Sequence, residues 1–295
     1  CSGELLTGSP DAQVLRVGTD SRQARAGDLF VALAGDKFDG HSFLAEVAAK
    51  GVAAIMVDRA KLALVANLTK SVVVVAVENT RAALGRLAAR YRADFSLPVI
   101  AVGGSNGKTT TKELLASVLR QMGPTLWSEA SFNNDIGVPL TLLNLERTHR
   151  AAVLEVGTNH PGELAPLVRM VQPQFGVITS IGREHLEFFG SVEGVAQEEG
   201  WLAGLLPASG KLFINGDSEW TPAIARRAQA PVVTVGFGER NVWRARRVWV
   251  GEEGVGFEAE APRPGFSGEY QLRLLGRHQV SNALLALAAG TELGA

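Results

Sequence analysis

The sequence predicts an α/β protein: a small α/β domain, then a larger domain with a mostly parallel sheet and a small antiparallel β appendage. Three observations carry this. Apolar runs of strand length alternate with stretches of helical periodicity, the pattern of strands joined by crossover helices. The alternation pauses at Asp94-Phe95-Ser96-Leu97-Pro98, a hinge-like segment, and restarts at once. Toward the carboxy-terminal end the apolar period shortens to two, as antiparallel hairpins require.

In the first domain, 1–95, residues 28–33, 52–57 and 72–77 read as short buried strands, the last of them Val-Val-Val-Val-Ala-Val. Between the first two, 42–50 places Phe43, Leu44, Val47 and Ala48 on one helical face. Asn79-Thr80 opens a helix to about Ala93, with Leu84, Leu87 and Ala88 inward. In the second domain, 96–295, a strand from Val99 to Val102 meets a glycine-rich turn and then a helix through Leu114, Leu115, Val118 and Leu119. Strands follow at 151–156, 175–180, 211–214 and 231–235, with helices at 161–171 and 192–206 between them. Residues 242–275 alternate with period two, and a final helix at 279–290 carries Leu284, Leu285 and Leu287 as core.

Composition narrows the function classes. Apolar residues make up 46% and charged residues 20% of 295, which suits a soluble protein with two ordinary cores. A net charge of −1 gives no general attraction to nucleic acid or an anionic membrane. Arg244, Arg246 and Arg247 with Trp243 and Trp249 are better explained by an exposed hairpin than by RNA binding. Cys1 is the only cysteine, so no internal disulfide can form and a cytoplasmic setting is expected. No apolar run reaches membrane-spanning length. The chain starts without Met and stops at Gly294-Ala295, directly after a helix, so a truncated chain is expected.

The strongest local signal is Gly103-Gly104-Ser105-Asn106-Gly107-Lys108-Thr109-Thr110-Thr111, between a strand and a helix. Such glycines let backbone N–H groups approach phosphate oxygens, and the helix N-terminus adds a favourable dipole. Lys108 suits the β- and γ-phosphates and Thr109 suits Mg²⁺. The general P-loop pattern has Gly five residues before Gly107, where this chain has Val102. The turn alone does not choose among kinases, GTPases, ATPases and ligases.

The remainder of the chain does choose. Gly104-Ser105-Asn106-Gly107-Lys108-Thr109-Thr110 resembles the ATP loop of the Mur ligase family and of folylpolyglutamate synthases, which commonly lack that leading glycine. Thr19-Asp20-Ser21-Arg22, Gly27-Asp28-Leu29-Phe30-Val31-Ala32-Leu33 and Phe38-Asp39-Gly40-His41 resemble the family's UDP-binding domain. Ser131-Phe132-Asn133-Asn134-Asp135-Ile136-Gly137-Val138-Pro139-Leu140-Thr141 and Glu155-Val156-Gly157-Thr158-Asn159-His160-Pro161-Gly162-Glu163 are similar to segments of the branch that adds D-alanyl-D-alanine. His185-Leu186-Glu187-Phe188-Phe189-Gly190-Ser191 and Gly276-Arg277-His278-Gln279-Val280-Ser281-Asn282-Ala283 complete the order.

The resemblance implies an ATP- and Mg²⁺-dependent ligase; a monomer is expected, but the sequence itself does not give the oligomeric state. The ligase would join UDP-N-acetylmuramoyl-tripeptide to D-alanyl-D-alanine through an acyl phosphate in peptidoglycan synthesis. Lys108, Glu155, His185 and Glu199 become the expected catalytic residues, with Thr109, Glu155 and His185 toward Mg²⁺. His278 and Asn282, four apart on one helical face, are placed at the ATP base and ribose, though a plain polar helix start remains open. Ser21, Arg22, Asp39, Gly40 and His41 would surround the uridine diphosphate; Asn133, Asn134, Asn159 and His160 would hold substrate near the γ-phosphate. Asn215 and Asp217 sit in a nucleotide-proximal segment, but Asn-Gly-Asp is equally a turn.

Two departures from the family stand out. Many members carry a carbamylated lysine after the histidine motif, whose carbamate helps bind a second Mg²⁺; here Gln197-Glu198-Glu199-Gly200 fills that segment, with Glu199 at the lysine's place. No lysine lies between Lys112 and Lys211, so Glu199, or Glu198, is the expected substitute. The family's third domain, which follows the last helix, is not in this sequence. Three rivals remain: the sister ligase adding the third amino acid, a non-catalytic UDP-sugar-binding protein, and a plain P-loop ATPase or kinase. The 131–141 segment argues against the first, and the amino-terminal motifs argue against the last.

Overall fold

The computed structural model describes residues 2–35, 37–66, 68 and 72–295; Cys1 lies outside the described residues. The chain divides into two compact units, Cys1–Asp94 with Leu142–Asn144, and Phe95–Thr141 with Leu145–Ala295.

The first unit runs β1 (Glu4–Thr7), β2 (Arg16–Gly18), β3 (Asp28–Val31), α1 (Leu44–Ala49), β4 (Ala54–Asp58), β5 (Val73–Val77) and α2 (Thr80–Arg92). Its sheet has the order β1-β5-β4-β3-β2, parallel except for β1 against β5. Burial explains the valine-rich reading: Phe30, Ile55, Val57 and Val74 pack with Leu44 and Val47 of α1. The Asn79 side chain accepts from the Ala82 amide at 2.8 Å and so caps α2, as its place before Thr80 predicts. β1 and β2 escape the sequence reading because they are short, β1 exposed and β2 only half-buried. The predicted helix at 42–50 splits into a 3₁₀ turn, Gly40–Phe43, followed by α1.

The second unit continues with β6 (Val99–Gly103), α3 (Lys108–Leu119), β7 (Thr125–Trp127), α4 (Gly137–Leu142), β8 (Ala151–Glu155), α5 (Leu164–Val171), β9 (Phe175–Ile178), α6 (Leu186–Phe189), α7 (Val192–Leu205) and β10 (Lys211–Asn215). It ends with α8 (Thr221–Ala225), β11 (Val232–Gly236), β12 (Trp243–Gly251), β13 (Gly254–Glu260), β14 (Gly268–Leu272) and α9 (His278–Glu292). All nine strands form one sheet, ordered β14-β13-β12-β11-β10-β9-β6-β8-β7. The antiparallel appendage is therefore continuous with the parallel core. β12 joins β11 in parallel through Val235 against Trp243, and pairs antiparallel with β13 on its other side.

Side-chain alternation sorts the helices onto two faces. Ile100 and Val102 join Leu115 and Leu119 of α3 and Leu284, Leu285 and Ala288 of α9 in one core. A side chain at Gly103 would instead meet Glu199 and Leu202 of α7, so α7 covers the opposite face. Each buried leucine contributes roughly 1.5–3 kcal/mol. The hairpin arginines pair with carboxylates on the facing strand, Arg246 with Glu260 at 2.9 Å and Arg247 with Glu258 at 2.8 Å. No helix among the described residues is long and apolar enough to cross a membrane.

Candidate active site

The parallel strands are not in chain order. β6 lies between β8 and β9, so the chain moves from one side of β6 to the other after β8. Open α/β sheets place their crevice at such a switch, beyond the carboxyl ends of the strands. Glu155 ends β8 beside Val102, and Ile178 of β9 pairs with Gly103. The glycine-rich turn, the carboxylate and the loop after β9 therefore meet at one place.

The turn is held from below. Gly104 and Gly107 have φ of +110° and +88°, conformations that a side chain disfavours. The Gly104 amide donates to Glu199 Oε2 at 2.6 Å, the Ser105 amide to Ser180 O at 2.7 Å, and the Asn106 amide to Ser180 Oγ at 3.0 Å. Thr179 Oγ1 donates to Asn106 O at 2.7 Å, and Ser105 Oγ accepts from the Gly182 amide at 2.9 Å. The amides of Gly104, Ser105 and Asn106 are thus bonded to protein partners. The first intrahelical bond of α3 runs from Thr111 N to Gly107 O at 2.8 Å. The amides of Gly107, Lys108, Thr109 and Thr110 come before it, so these are the helix-terminal donors suited to an anion. Lys108 Nζ folds over the turn, donating to Gly104 O at 2.5 Å and Ser105 O at 3.1 Å, and lies 3.7 Å from Glu184 Oε2.

Glu155 is the centre of the oxygen set. It is buried, accepts from Thr109 Oγ1 at 2.9 Å on one carboxylate oxygen and from Asn133 Nδ2 at 2.9 Å on the other. Asn134 does different work: its side chain accepts from the amides of Ile136 and Gly137 at the start of α4. Among the described residues no three His, Cys, Asp or Glu side chains form a group able to hold a metal. Mg²⁺ is commonly held by one or two carboxylates together with phosphates and water. The paired hydroxyl and carboxylate of Thr109 and Glu155 fit that ion.

Glu199 is fully buried, and among the described residues its Oε2 has a partner while its Oε1 has none, as is also true of the buried Oε1 of Glu184. Burial pushes the Glu199 carboxyl up to about 7, against the opposing pull of the Lys108 charge. Glu198, the alternative substitute for the lysine, is engaged elsewhere: it accepts from the Gly162 and Leu164 amides at 3.0 and 2.8 Å, capping α5. His185 precedes α6 at φ +44°, partly exposed, with Glu187 at 4.0 Å. Asn159 and His160 lie on an exposed loop organised by Glu163, and the His160 ring packs on Phe188 with centroids 4.1 Å apart. Asn282 is buried against the turn: a side chain on Gly107 would meet Asn282 Oδ1 at 2.4 Å. His278, one helical turn earlier, is exposed.

In the first unit, a cavity of about 410 Å³ is lined by Thr19, Asp20, Ser21, Arg22, Phe30, Leu33, Phe38, Gly40, Phe43 and Glu46. Arg22 lines it while paired with Asp20 at 2.7 Å, an ion pair that holds the Asp20 carboxyl down to about 2. Asp39 and His41 do not line it. The buried His41 ring accepts from the Asp58 amide through Nε2 at 3.0 Å and faces Asp39 through Nδ1 at 2.6 Å. The proton must then sit on Nδ1, and both ring nitrogens are occupied. Lys61 is the main reason that the Asp39 carboxyl lies well below the usual carboxylate range, with His41 adding to it. These two residues brace the turn that carries Gly40, which itself lines the cavity.

Sequence reasoning missed Thr179 and Ser180, whose signal was two hydroxyl residues ending an apolar strand. It also missed Lys112, a lysine on the inward stripe of α3.

Comparison with known proteins agrees with this architecture. Residues 102–290 match the Mur ligase middle domain and residues 13–92 the Mur ligase family catalytic domain. The chain is 36% identical over 309 residues to the UDP-N-acetylmuramoyl-tripeptide--D-alanyl-D-alanine ligase of Escherichia coli (strain K12), covering 100% of this chain and 63% of that protein. To the ligase of the same name from Bacillus subtilis (strain 168) it is 36% identical, covering 94% of this chain and 58% of that one. The crystal structure I of MurF from Acinetobacter baumannii superposes with a TM-score of 0.87 at 34% identity, over 97% of this chain and 61% of that one. The MurF ligase from Thermotoga maritima in complex with ADP gives 0.82 at 28%, over 97% and 65%. The chain thus spans about three fifths of the length of the relatives it matches. With both domain matches in order and the phosphate turn, acidic strand end and histidine loop meeting at one switch point, the chain belongs to the Mur ligase family.

Proposed function

We propose that the protein carrying this chain joins UDP-N-acetylmuramoyl-tripeptide to D-alanyl-D-alanine with cleavage of ATP to ADP and phosphate, in the cytoplasm. The observation that carries this reading is Asn133. It belongs to the 131–141 segment typical of the D-alanyl-D-alanine-adding branch, and its amide donates to Glu155 while Glu155 takes Thr109. The branch-specific loop is thereby wired into the phosphate site.

The chemistry follows from the residues. A carboxylate is a poor acyl donor, so the tripeptide's terminal carboxylate oxygen attacks the γ-phosphorus of ATP and ADP leaves. The amine of D-alanyl-D-alanine then adds to the acyl carbon and phosphate departs. Such transfer needs positioning and charge neutralisation more than covalent help. The amides of residues 107–110 bind phosphate oxygens, and Lys108 swings from the loop carbonyls to the β- and γ-phosphates. Mg²⁺ held by Thr109 and Glu155, with His185 and the free oxygen of Glu199 serving a second ion directly or through water, would supply further charge neutralisation. Asn133 keeps Glu155 aimed, while Asn159 and His160 stand at the substrate side. Asn282 supports the turn beside the ATP ribose, with His278 toward the base. In the first unit the aromatic rings of Phe30, Phe38 and Phe43 suit a uracil face, and Ser21, Arg22 and Gly40 suit the diphosphate, the turn behind them braced by Asp39 and His41.

The test is ATP-dependent phosphate release with UDP-N-acetylmuramoyl-tripeptide, comparing D-alanyl-D-alanine with single amino acids as acceptor. Release stimulated only by D-alanyl-D-alanine is expected; release stimulated only by a diamino acid overturns the assignment. For the metal residues, Glu155→Gln is expected to abolish Mg²⁺-dependent turnover and Glu199→Gln to impair it. A fully active Glu199→Gln would remove Glu199 from the second ion.

A further inference from the structure

The inward stripe of α3 is Thr111, Lys112, Leu115, Ala116 and Leu119. Four of these are apolar or small, and one is a lysine with no solvent exposure at all. A buried ammonium is costly unless every proton finds an acceptor. Lys112 meets that demand in one direction: Nζ donates to Ser128 O at 2.7 Å and to Ala130 O at 2.6 Å, and pairs with Glu113 Oε1 at 2.9 Å. Methionine at this position would keep the packing and lose the grip on 128–130 together with the pair to the half-exposed Glu113.

That grip acts on a segment with two further oddities. Ala130 has φ +46°, a left-handed conformation that alanine adopts only when its surroundings impose it. Ser128 is fully buried, and its Oγ accepts from the Glu155 amide at 3.0 Å while its own amide donates to Val153 O at 3.1 Å. Three residues on from Ala130, Asn133 donates to Glu155 Oε1, and the Gly157 amide returns to Asn133 O at 2.9 Å. The loop between β7 and α4 is thus pinned at one end by Lys112 and at the other by the carboxylate of Glu155.

We propose that Lys112 is a positioning residue of the phosphate site: by holding the carbonyls of Ser128 and Ala130 it fixes Asn133 and, through it, the carboxylate of Glu155. This rests on the reading of Glu155 and Thr109 as the Mg²⁺-binding pair. Lys112 touches neither nucleotide nor ion in this scheme. Its loss is felt where Glu155 acts and not where the turn alone binds phosphate.

The experiment measures ADP affinity of this chain by calorimetry, with excess Mg²⁺ and again in EDTA, for wild type, Lys112→Met and Ala130→Val. Ala130 is exposed, so valine fits sterically while opposing the left-handed backbone, which gives a second variant should Lys112→Met fail to fold. Both variants are expected to keep the EDTA affinity within about threefold and to lose about tenfold or more of the Mg²⁺-dependent gain, the low end for groups that orient a metal ligand. An intact Mg²⁺ gain in folded variants overturns the proposal, as does an equal weakening with and without Mg²⁺, which marks a general packing role. If wild type gains nothing from Mg²⁺, the reading of Glu155 itself fails and the role of Lys112 falls with it.

Discussion

Gly107→Ala is the substitution whose cost the structure specifies most fully. Gly107 caps α3 at φ +88°, and an alanine held in that left-handed region costs about 1–2 kcal/mol. Its methyl would lie 2.4 Å from Asn282 Oδ1, so Asn282 must turn away. Turning breaks the bond from Asn282 Nδ2 to Gln279 Oε1 at 2.9 Å, worth about 0.5–1.5 kcal/mol. The two effects sum to about 1.5–3.5 kcal/mol, which for a unit of this size lowers Tm by roughly 3–14 °C. They are separable, because the backbone part belongs to Gly107 alone and the steric part needs Asn282. Thermal melts of Gly107→Ala, Asn282→Ala and the double variant therefore form a cycle. The double variant should recover about 1 kcal/mol relative to the sum of the singles, the coupling expected of residues in contact. Additive losses would show that α9 does not press on the turn as described. A Gly107→Ala melt within 1 °C of wild type would refute the strain argument as well.

Other outcomes follow from the same geometry. Because burial raises the Glu199 carboxyl from 4.5 to about 7, its contribution is fully present below pH 4.5 and is lost as pH rises through 7. The unfolded chain ionises first, so stability falls across that window by up to about 3 kcal/mol; Glu199→Gln should flatten it in urea melts between about pH 5 and pH 8. Equal slopes for the two proteins would contradict this origin of the shift. Lys108→Met should leave Tm unchanged or raised but weaken ADP binding by about 10–100-fold in calorimetry, the loss of one charge-assisted contact to phosphate. His41→Ala should destabilise the first unit by about 2–4 kcal/mol in a denaturant melt, since it leaves the Asp58 amide without its acceptor and opens a void. It should weaken UDP binding only as far as the Gly40 turn loosens.

Local chemistry decided what the sequence could determine by itself. Valine runs and helical periodicity located β3 to β5, α2, β6, and β8 to β11, because burial on both faces of a parallel sheet leaves an unbroken apolar record; the three-residue β7 was missed. The glycine-lysine-threonine turn identified the phosphate site, because backbone room, a helix N-terminus and a cation are all encoded within a few consecutive residues. The period-two stretch announced the hairpins, although not that β12 extends the parallel sheet. Short β1, exposed, and β2, half-buried, left no such record.

Tertiary structure decided the rest, since it depends on which distant groups meet. No spacing rule says that Glu199 lies under Gly104, that Ser180 uses up the amides of Ser105 and Asn106, or that His41 faces inward with both nitrogens taken. These partners lie on separate strands and helices, and only the order β8-β6-β9 brings their ends together. Lys112 is the clearest case. In sequence it is one more charged residue beside Glu113, and in the fold its burial forces it to find oxygen acceptors, which the loop beside Glu155 supplies.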